Sequence, residues 1–260
     1  MASASSPSPV TQAPGARGAA IVTGASRGLG AAIARRLGRD GWPVAVNHFG
    51  EPEEAARVAG AIARAGGTAG VFDADVTDEA AVDGLVAAVT DRLGPAEVLV
   101  VNATGPQPPV AVEDLTWQTH LDQLVYFVKS PTLLLRAVLP AMRARGRGRV
   151  VNIGSDMFHR ALPGWSAYTA AKGAQLGLTR AWARELGPAG ITVNLVAPGW
   201  IPVERHAGTP AELHAAYVAE SPLNRPGLPD DIAAAVSFLT SPDAAHITAQ
   251  ELPVNGGHTF

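Results

Sequence analysis

Ala19-Ala-Ile-Val-Thr-Gly24-Ala-Ser-Arg-Gly28-Leu-Gly30 carries an apolar run into a glycine-rich turn and then into Ala31-Ala-Ile-Ala-Arg-Arg-Leu37, whose apolar residues have helical spacing. The order is strand, tight turn, helix. Glycine lets the backbone take the left-handed conformations of a tight turn and lets a ligand approach closely. The helix that follows aims its free amides and the positive end of its dipole back at the turn, forming a cradle for phosphate. A glycine pattern alone is weak evidence. Between an apolar strand and a helix, at the head of an alternating chain, it marks a dinucleotide-binding turn. Gly24, Ser26, Arg27, Gly28, Leu29 and Gly30 are therefore the first candidate cofactor residues.

Outward from this turn, apolar runs alternate with helical stretches, which predicts a parallel sheet covered by helices on both faces. Strands are expected near 19–23, 43–47, 69–73, 97–102, 149–154, 191–196 and 250–254. Helices are expected near 28–40, 51–65, 78–93, 116–144, 165–187, 210–219 and 229–240. The predicted fold is α/β: a Rossmann-type, doubly wound, seven-stranded sheet, mainly parallel, in one domain over 19–260. Its ligands belong at the carboxyl ends of the strands. The stretch 197–226, with its prolines, glycines and histidines, interrupts the alternation and is expected to be a lid-like insertion. Residues 1–18, rich in Ala, Ser and Pro, read as a flexible tail.

The 260 residues, 47% hydrophobic and 17% charged, suit one sizeable core. A net charge of −3 gives no broad basic field, so nucleic acid and anionic membranes are not expected partners. The local run Arg143-Ala-Arg-Gly-Arg-Gly-Arg149 reads as a solvated helix end entering a turn. The absence of cysteine rules out disulfides, a thiolate nucleophile and cysteine-bound zinc, and suits a cytoplasmic protein. The seven histidines form no tight ligand pair, so no metal site is expected.

A second stretch carries the chemistry. Tyr168-Thr-Ala-Ala-Lys172 puts a phenol and an ammonium on one helix face, since the helix repeats every ~3.6 residues. Ser155 follows the apolar run Val150–Gly154, at the edge of the sheet. A free phenol titrates near ~10, too high for proton exchange at neutrality. A lysine charge at roughly 4 Å is worth about 4 kcal/mol at an effective dielectric of 20. Before desolvation is discounted, that lowers the phenol's pKa by up to about 3.

Together, the T-G-x-x-x-G-x-G pattern at 23–30, Ser155 and Y-x-x-x-K at 168–172 resemble the short-chain dehydrogenase/reductase family, in particular its 3-oxoacyl-acyl-carrier-protein reductase-like members. The resemblance spans 19–257. It matches Asp75-Val76 to an adenine-contacting pair and Asn102-Ala103 to part of an Asn-Asn-Ala-Gly turn. Pro198-Gly199-Trp200-Ile201 matches the segment beside the nicotinamide, and Val254-Asn-Gly-Gly257 the end of the last strand. Thr104 and Val203 depart from the family pattern. The resemblance implies that Tyr168 is the general acid or base, that Ser155 holds the substrate oxygen, and that Lys172 binds the nicotinamide ribose while tuning the tyrosine. It also implies a homodimer or homotetramer. A fourth family residue, a helix asparagine in a proton relay to the lysine, is missing: no asparagine lies between Asn102 and Asn152. Counting forward from Trp117 puts Leu124 at that place, and counting back from Arg149 puts Phe127 there. His120, Asp122 and Gln123 are nearby polar residues.

The second strand ends in Asn47-His48-Phe49 without the carboxylate that would bind a ribose 2′-hydroxyl. With Arg27 and His48 close by, this favours NADP(H), NAD(H) remaining the alternative. Met157, Phe158, His159, Trp165, Trp200 and His206 are expected to line a moderately apolar pocket. The expected activity is hydride transfer between NADP(H) and a ketone or 3-oxoacyl substrate, or the reverse oxidation of a secondary alcohol. The alternatives are a dinucleotide-binding regulatory or scaffold protein with impaired chemistry, and a C=N or C=C reductase on the same fold.

Overall fold

The computed structural model describes residues 17–259. Its strands are β1 (Ala19–Val22), β2 (Val44–His48), β3 (Ala69–Asp73), β4 (Ala96–Val101), β5 (Gly148–Ile153), β6 (Ile191–Pro198) and β7 (Glu251–Val254). They form one parallel sheet in the order β3-β2-β1-β4-β5-β6-β7. The direction of winding reverses between β1 and β4, which opens a crevice at their carboxyl ends. Val22 pairs with Val100 there, so the turn after β1 and the turn after β4 share one edge.

Strand periodicity sorts the core into two layers. Ala20, Val22, Val44, Val46, Val98 and Val100 face Ile33, Leu37, Ile62 and Val236. Ala19, Ile21, Ala45, Leu99 and Val101 face Leu85, Leu134, Val138 and Met142. The first layer is closed by α1 (Gly28–Arg39), α2 (Pro52–Arg64) and α9 (Pro229–Thr240). The second is closed by α3 (Glu79–Leu93), α5 (Ser130–Arg145) and α7 (Ser166–Leu186). With both faces covered, strands read as unbroken apolar runs, which is why they were visible in the sequence.

The long helix between β4 and β5 differs from expectation. It runs from Trp117 to Arg145 as α4 (Trp117–Leu124), a π turn (Val125–Lys129) and α5. The Ser130 amide donates to Val125 O, five residues back. Pro131 supplies the physical reason. It has no N–H for the carbonyl four residues earlier, that of Phe127, and its ring would collide with that carbonyl. A π turn absorbs the misfit, and Thr132 Oγ1 donates to Val128 O at 2.7 Å. This 29-residue run has the length and composition of a membrane span. Leu133, Leu134, Leu135, Val138 and Met142 nonetheless lie in the second core layer, as in the core helix of a globular domain.

The basic run 143–149 also needs correction. Glu97, 2% exposed at the start of β4, accepts the Gly18 N–H at 2.8 Å and pairs with Arg147 at 2.9 Å and Arg145 at 3.7 Å. Arg149 is buried on β5, and burial, then the neighbouring Arg147, pushes its pKa down. The run is thus a charge cluster around a buried carboxylate. The tail expected over 1–18 lies outside the described residues as far as 16. Arg17 stacks on Trp42 at 4.7 Å and Gly18 is bound to Glu97.

Candidate active site

At the crevice, side chains lock the glycine turn in place. Thr23 Oγ1 accepts the amides of Asn102 (2.9 Å) and Ala103 (3.0 Å). Asn102 Nδ2 donates to Thr23 O (2.9 Å) and Gly24 O (3.1 Å). Gly24 and Gly28 have φ of +60° and +55°, where a side chain is strained. Gly30 is needed for space: a Cβ there would lie 2.2 Å from Gly24 O and 2.6 Å from Asn102 Nδ2. Leu29 packs against the first core layer. The free amides at the start of α1 and the bare backbone of the turn fit a dinucleotide's phosphates.

The nucleotide corner departs from the sequence reading. Asn47 is buried, its Oδ1 accepting from the Gly24 amide at 3.4 Å and its Nδ2 donating to Ala74 O at 3.1 Å. It ties β2 to the glycine turn and to the segment after β3. His48 is also buried, and its Nδ1 accepts the Glu51 N–H at 3.2 Å. The corner does contain a carboxylate. Glu51 Oε2 accepts from Ser26 Oγ at 2.5 Å, and Oε1 lies 2.6 Å from the Arg27 guanidinium. β2 ends without an acid, but Pro52 begins α2, so Glu51 takes the N-cap position and its carboxylate reaches back to the glycine turn. The X-Pro start was the signal available in the sequence. Asp75 Oδ1 accepts from the amide and hydroxyl of Thr77 at 2.8 and 2.7 Å, and Val76 is buried.

A cleft of about 600 Å³ runs along Ser26, Arg27 and Gly28 toward Arg35 and Arg57, bounded opposite by Pro202, Val203 and Glu204. A Cβ on Gly28 would lie 3.6 Å from both Val203 and Glu204.

The chemical end is built by β5, β6 and α7. The Gly154 amide donates to Val196 O (2.7 Å) and the Asp156 amide to Pro198 O (3.0 Å), which pins Ser155 at the sheet edge. Ser155 Oγ accepts the Met157 N–H at 3.2 Å, at the start of the short helix α6 (Met157–Arg160). Lys172, 4% exposed, donates from Nζ to Ile153 O at 2.7 Å, two residues before Ser155. The same Nζ lies 5.7 Å from the Tyr168 ring centroid. Serine, tyrosine and lysine therefore converge on one edge.

Of the two helix residues reached by counting, Phe127 is the one that lies beside Lys172. The π turn directs its ring over Lys172, with Nζ 3.8 Å from the centroid, and edge to face with Tyr168 at 5.5 Å. The polar residues nearby have other partners. Gln123 Nε2 donates to Pro106 O at 3.0 Å, Gln118 donates to Asp122 at 2.7 Å, and His120 lies against Trp117 at 6.1 Å. Gln175, unforeseen, accepts from Lys172 Nζ at 3.2 Å. Its signal in the sequence was spacing, three residues after Lys172 and seven after Tyr168, on the same helix face.

Of the expected pocket residues, Trp165 meets Tyr168 edge to face at 5.8 Å. Met157 and Phe158 sit on α6, and His159 Nε2 lies 2.8 Å from Glu251 Oε1. Trp200 packs against His214 at 4.3 Å and Tyr217 at 5.7 Å, both on α8 (Ala211–Glu220), and against His206 at 6.2 Å. His206 Nδ1 lies 3.0 Å from Ile201 O, and Ile201 itself is buried. Gly199 has no room for a side chain beside Tyr217 Oη, which accepts the Trp200 N–H at 2.8 Å and donates to Asp156 Oδ2 at 3.4 Å. Burial pushes the Asp156 carboxyl up and the Tyr217 phenol up to about 12. Among the described residues, no group of three or more His, Asp or Glu is arranged to hold a metal ion.

Comparison with known proteins agrees with this fold. A family model described as enoyl-(acyl carrier protein) reductase matches residues 24–259. A 3-oxoacyl-acyl-carrier-protein reductase from Staphylococcus aureus is 36% identical over 240 residues, 92% of this chain and 96% of that protein. A short-chain dehydrogenase/reductase from Hericium erinaceus is 38% identical over 249 residues, 93% of this chain and 98% of that one. The solved structure of a doubly substituted Serratia marcescens short-chain dehydrogenase/reductase superposes with a TM-score of 0.86 at 34% identity, covering 94% of this chain and 98% of its own. The chain belongs to the short-chain dehydrogenase/reductase family of oxidoreductases and is similar to its 3-oxoacyl-acyl-carrier-protein reductases.

Proposed function

We propose that the protein transfers hydride between NADP(H) and a ketone or 3-oxoacyl-type carbonyl, or the corresponding secondary alcohol, with Tyr168 as general acid and base. The observation that carries this reading is the buried Lys172 ammonium, fixed to Ile153 O at 2.7 Å and set 5.7 Å from the Tyr168 ring beside Ser155. When bound, the nicotinamide supplies or accepts the hydride. In reduction, Tyr168 gives its proton to the carbonyl oxygen as charge develops there. Ser155 donates a hydrogen bond to that oxygen. Lys172 stabilises the phenolate left behind and offers its ammonium to a ribose hydroxyl.

The phosphates would lie on the amides from Gly24 to Gly30, with Asn102 and Ala103 supporting the turn, Asp75 and Val76 at the adenine end, and Pro198, Gly199 and Ile201 beside the nicotinamide. For the 2′-phosphate of NADP(H), Arg27 would exchange Glu51 for the ligand. NAD(H) would leave that ion pair intact. The segment 197–226 would act as the lid, with Trp200 and His206 facing substrate across from Met157, His159 and Trp165.

A second reading, reduction of a C=C bond, is favoured by the description of the matching family model. Oxidation of NADPH and NADH by the protein against ketones, diketones, 3-oxoacyl thioesters and enoyl thioesters separates the readings. Consumption with a carbonyl compound supports the proposal, and consumption with enoyl thioesters alone supports the second. Binding of cofactor without turnover on any of them would point instead to a regulatory dinucleotide-binding protein.

A further inference from the structure

Lys172 is gripped by two residues that take no part in the reaction written above. Its Nζ donates to Gln175 Oε1 at 3.2 Å and lies 3.8 Å from the Phe127 ring centroid. The same ring meets Tyr168 edge to face. Gln175 is 1% exposed and Phe127 3%, so both contacts are made in the interior. An ammonium taken out of water is stable only among acceptors and the negative faces of aromatic rings. Gln175 supplies an acceptor, Phe127 supplies a face, and Ile153 O supplies a third contact at 2.7 Å.

Each grip has a local cause. Gln175 lies one helical turn beyond Lys172, and its backbone carbonyl accepts from Thr179 Oγ1 at 2.9 Å, which in turn accepts from Asn152 Nδ2 at 2.9 Å. This polar seam anchors α7 to β5. Phe127 stands at the carbonyl that Pro131 leaves without an α-helical partner, in the π turn.

We propose that Phe127 and Gln175 are positioning residues that fix the Lys172 ammonium beside Tyr168 and act on proton transfer only through that lysine. The proposal rests on the reading of Tyr168 and Lys172 as the acid–base pair. The other charged groups on the elements around the start of α7 are engaged elsewhere or exposed. Asp122 is bound to Gln118, His120 lies against Trp117, and His159 is bound to Glu251. Asp156 is bound to Tyr217, Arg160 lies over the Tyr217 ring, and Lys129 is exposed.

The test is a difference ultraviolet titration of the full-length protein, which needs neither substrate nor cofactor. Subtracting the curve of Tyr168→Phe isolates one phenol among the three tyrosines. Tyr168 is expected to ionise below the ordinary phenol value of about 10. In Gln175→Met and in Phe127→Leu, each paired with its own Tyr168→Phe double variant, the curve is expected to move up by about one pH unit, a tenfold loss of phenolate on the rising limb. Leu176→Ala removes a buried neighbour that packs on Leu195 and Ala197, and is the control for loosened packing. It should lower Tm and leave the curve in place. Unmoved or lowered curves in both grip variants overturn the proposal while sparing the acid–base reading. An equal rise in Leu176→Ala overturns it too, and a wild-type phenol titrating at the ordinary value sinks both.

Discussion

Arg27 and Lys172 both bring a positive charge to the carboxyl edge of the sheet, one from the nucleotide half and one from the chemical half, and the chain holds them in opposite ways. Arg27's side chain is 61% exposed and pairs with Glu51. Lys172 is 4% exposed, with a carbonyl, an amide oxygen and an aromatic face around its ammonium. An exposed ion pair contributes about 0–1 kcal/mol and is easily exchanged. A buried charge deprived of a partner is costly, so its surroundings are fixed before any ligand arrives. Under the proposed function, the difference would give adaptability to the corner that chooses the cofactor and rigidity to the corner that moves the proton.

The largest expected effect breaks the rigid corner. Tyr168→Phe should cut turnover by about 10²–10⁴-fold, the range for loss of a general acid or base, while cofactor affinity measured by fluorescence stays within a few fold. Next comes the scaffold between the two corners. Gly30→Ala sets a methyl against Gly24 O and Asn102, and should cost about 1–3 kcal/mol in urea unfolding, as overpacking does. Its dinucleotide binding should fall with it.

The adaptable corner should respond selectively. Arg27→Ala should weaken NADPH about tenfold more than NADH, the worth of roughly 1.4 kcal/mol, whereas Glu51→Gln should favour NADPH. Titrations of both cofactors with both variants check this, and equal losses in Arg27→Ala would remove the argument for NADP(H).

The smallest effect concerns another buried charge. Burial raises the Asp156 carboxyl pKa above its unfolded value, against the opposing pull of Arg160 and His258. A raised folded value favours the protonated form. Its contribution to stability is therefore complete below the unfolded value of about 3.9 and is lost as pH rises through the folded one. Asp156→Asn stays neutral throughout, so its Tm relative to wild type should rise from acid toward neutral pH. A constant or falling difference in thermal scans would contradict this.

What the sequence made legible follows the same division. Strand boundaries, the glycine turn and the Tyr168–Lys172 spacing were all readable, because each depends on neighbours along the chain. Glu51 escaped notice because its role depends on where α2 begins, four residues beyond the end of β2. Phe127 could be placed only to within the interval from Leu124, because residue counting along a uniform helix cannot register a π turn. Pro131 was the local clue to that turn. The charges at Arg145 and Arg147 looked solvated because their partner, Glu97, lies on β4, far back in the sequence. For Glu51 and Glu97 the missing information was a contact between elements distant in sequence, whereas for Phe127 it was a local change of helix type.

In the proposed reaction, the lysine-tuned phenol and the reactive carbonyl meet at the nicotinamide. A crystal structure with NADP(H) and a turned-over ketone or its alcohol tests this most directly. The predicted result places the substrate oxygen within hydrogen-bonding reach of Tyr168 Oη and Ser155 Oγ, with its carbon about 3–3.5 Å from the nicotinamide ring. A nicotinamide bound away from Tyr168 and Lys172, or a substrate oxygen held by other residues, would contradict it.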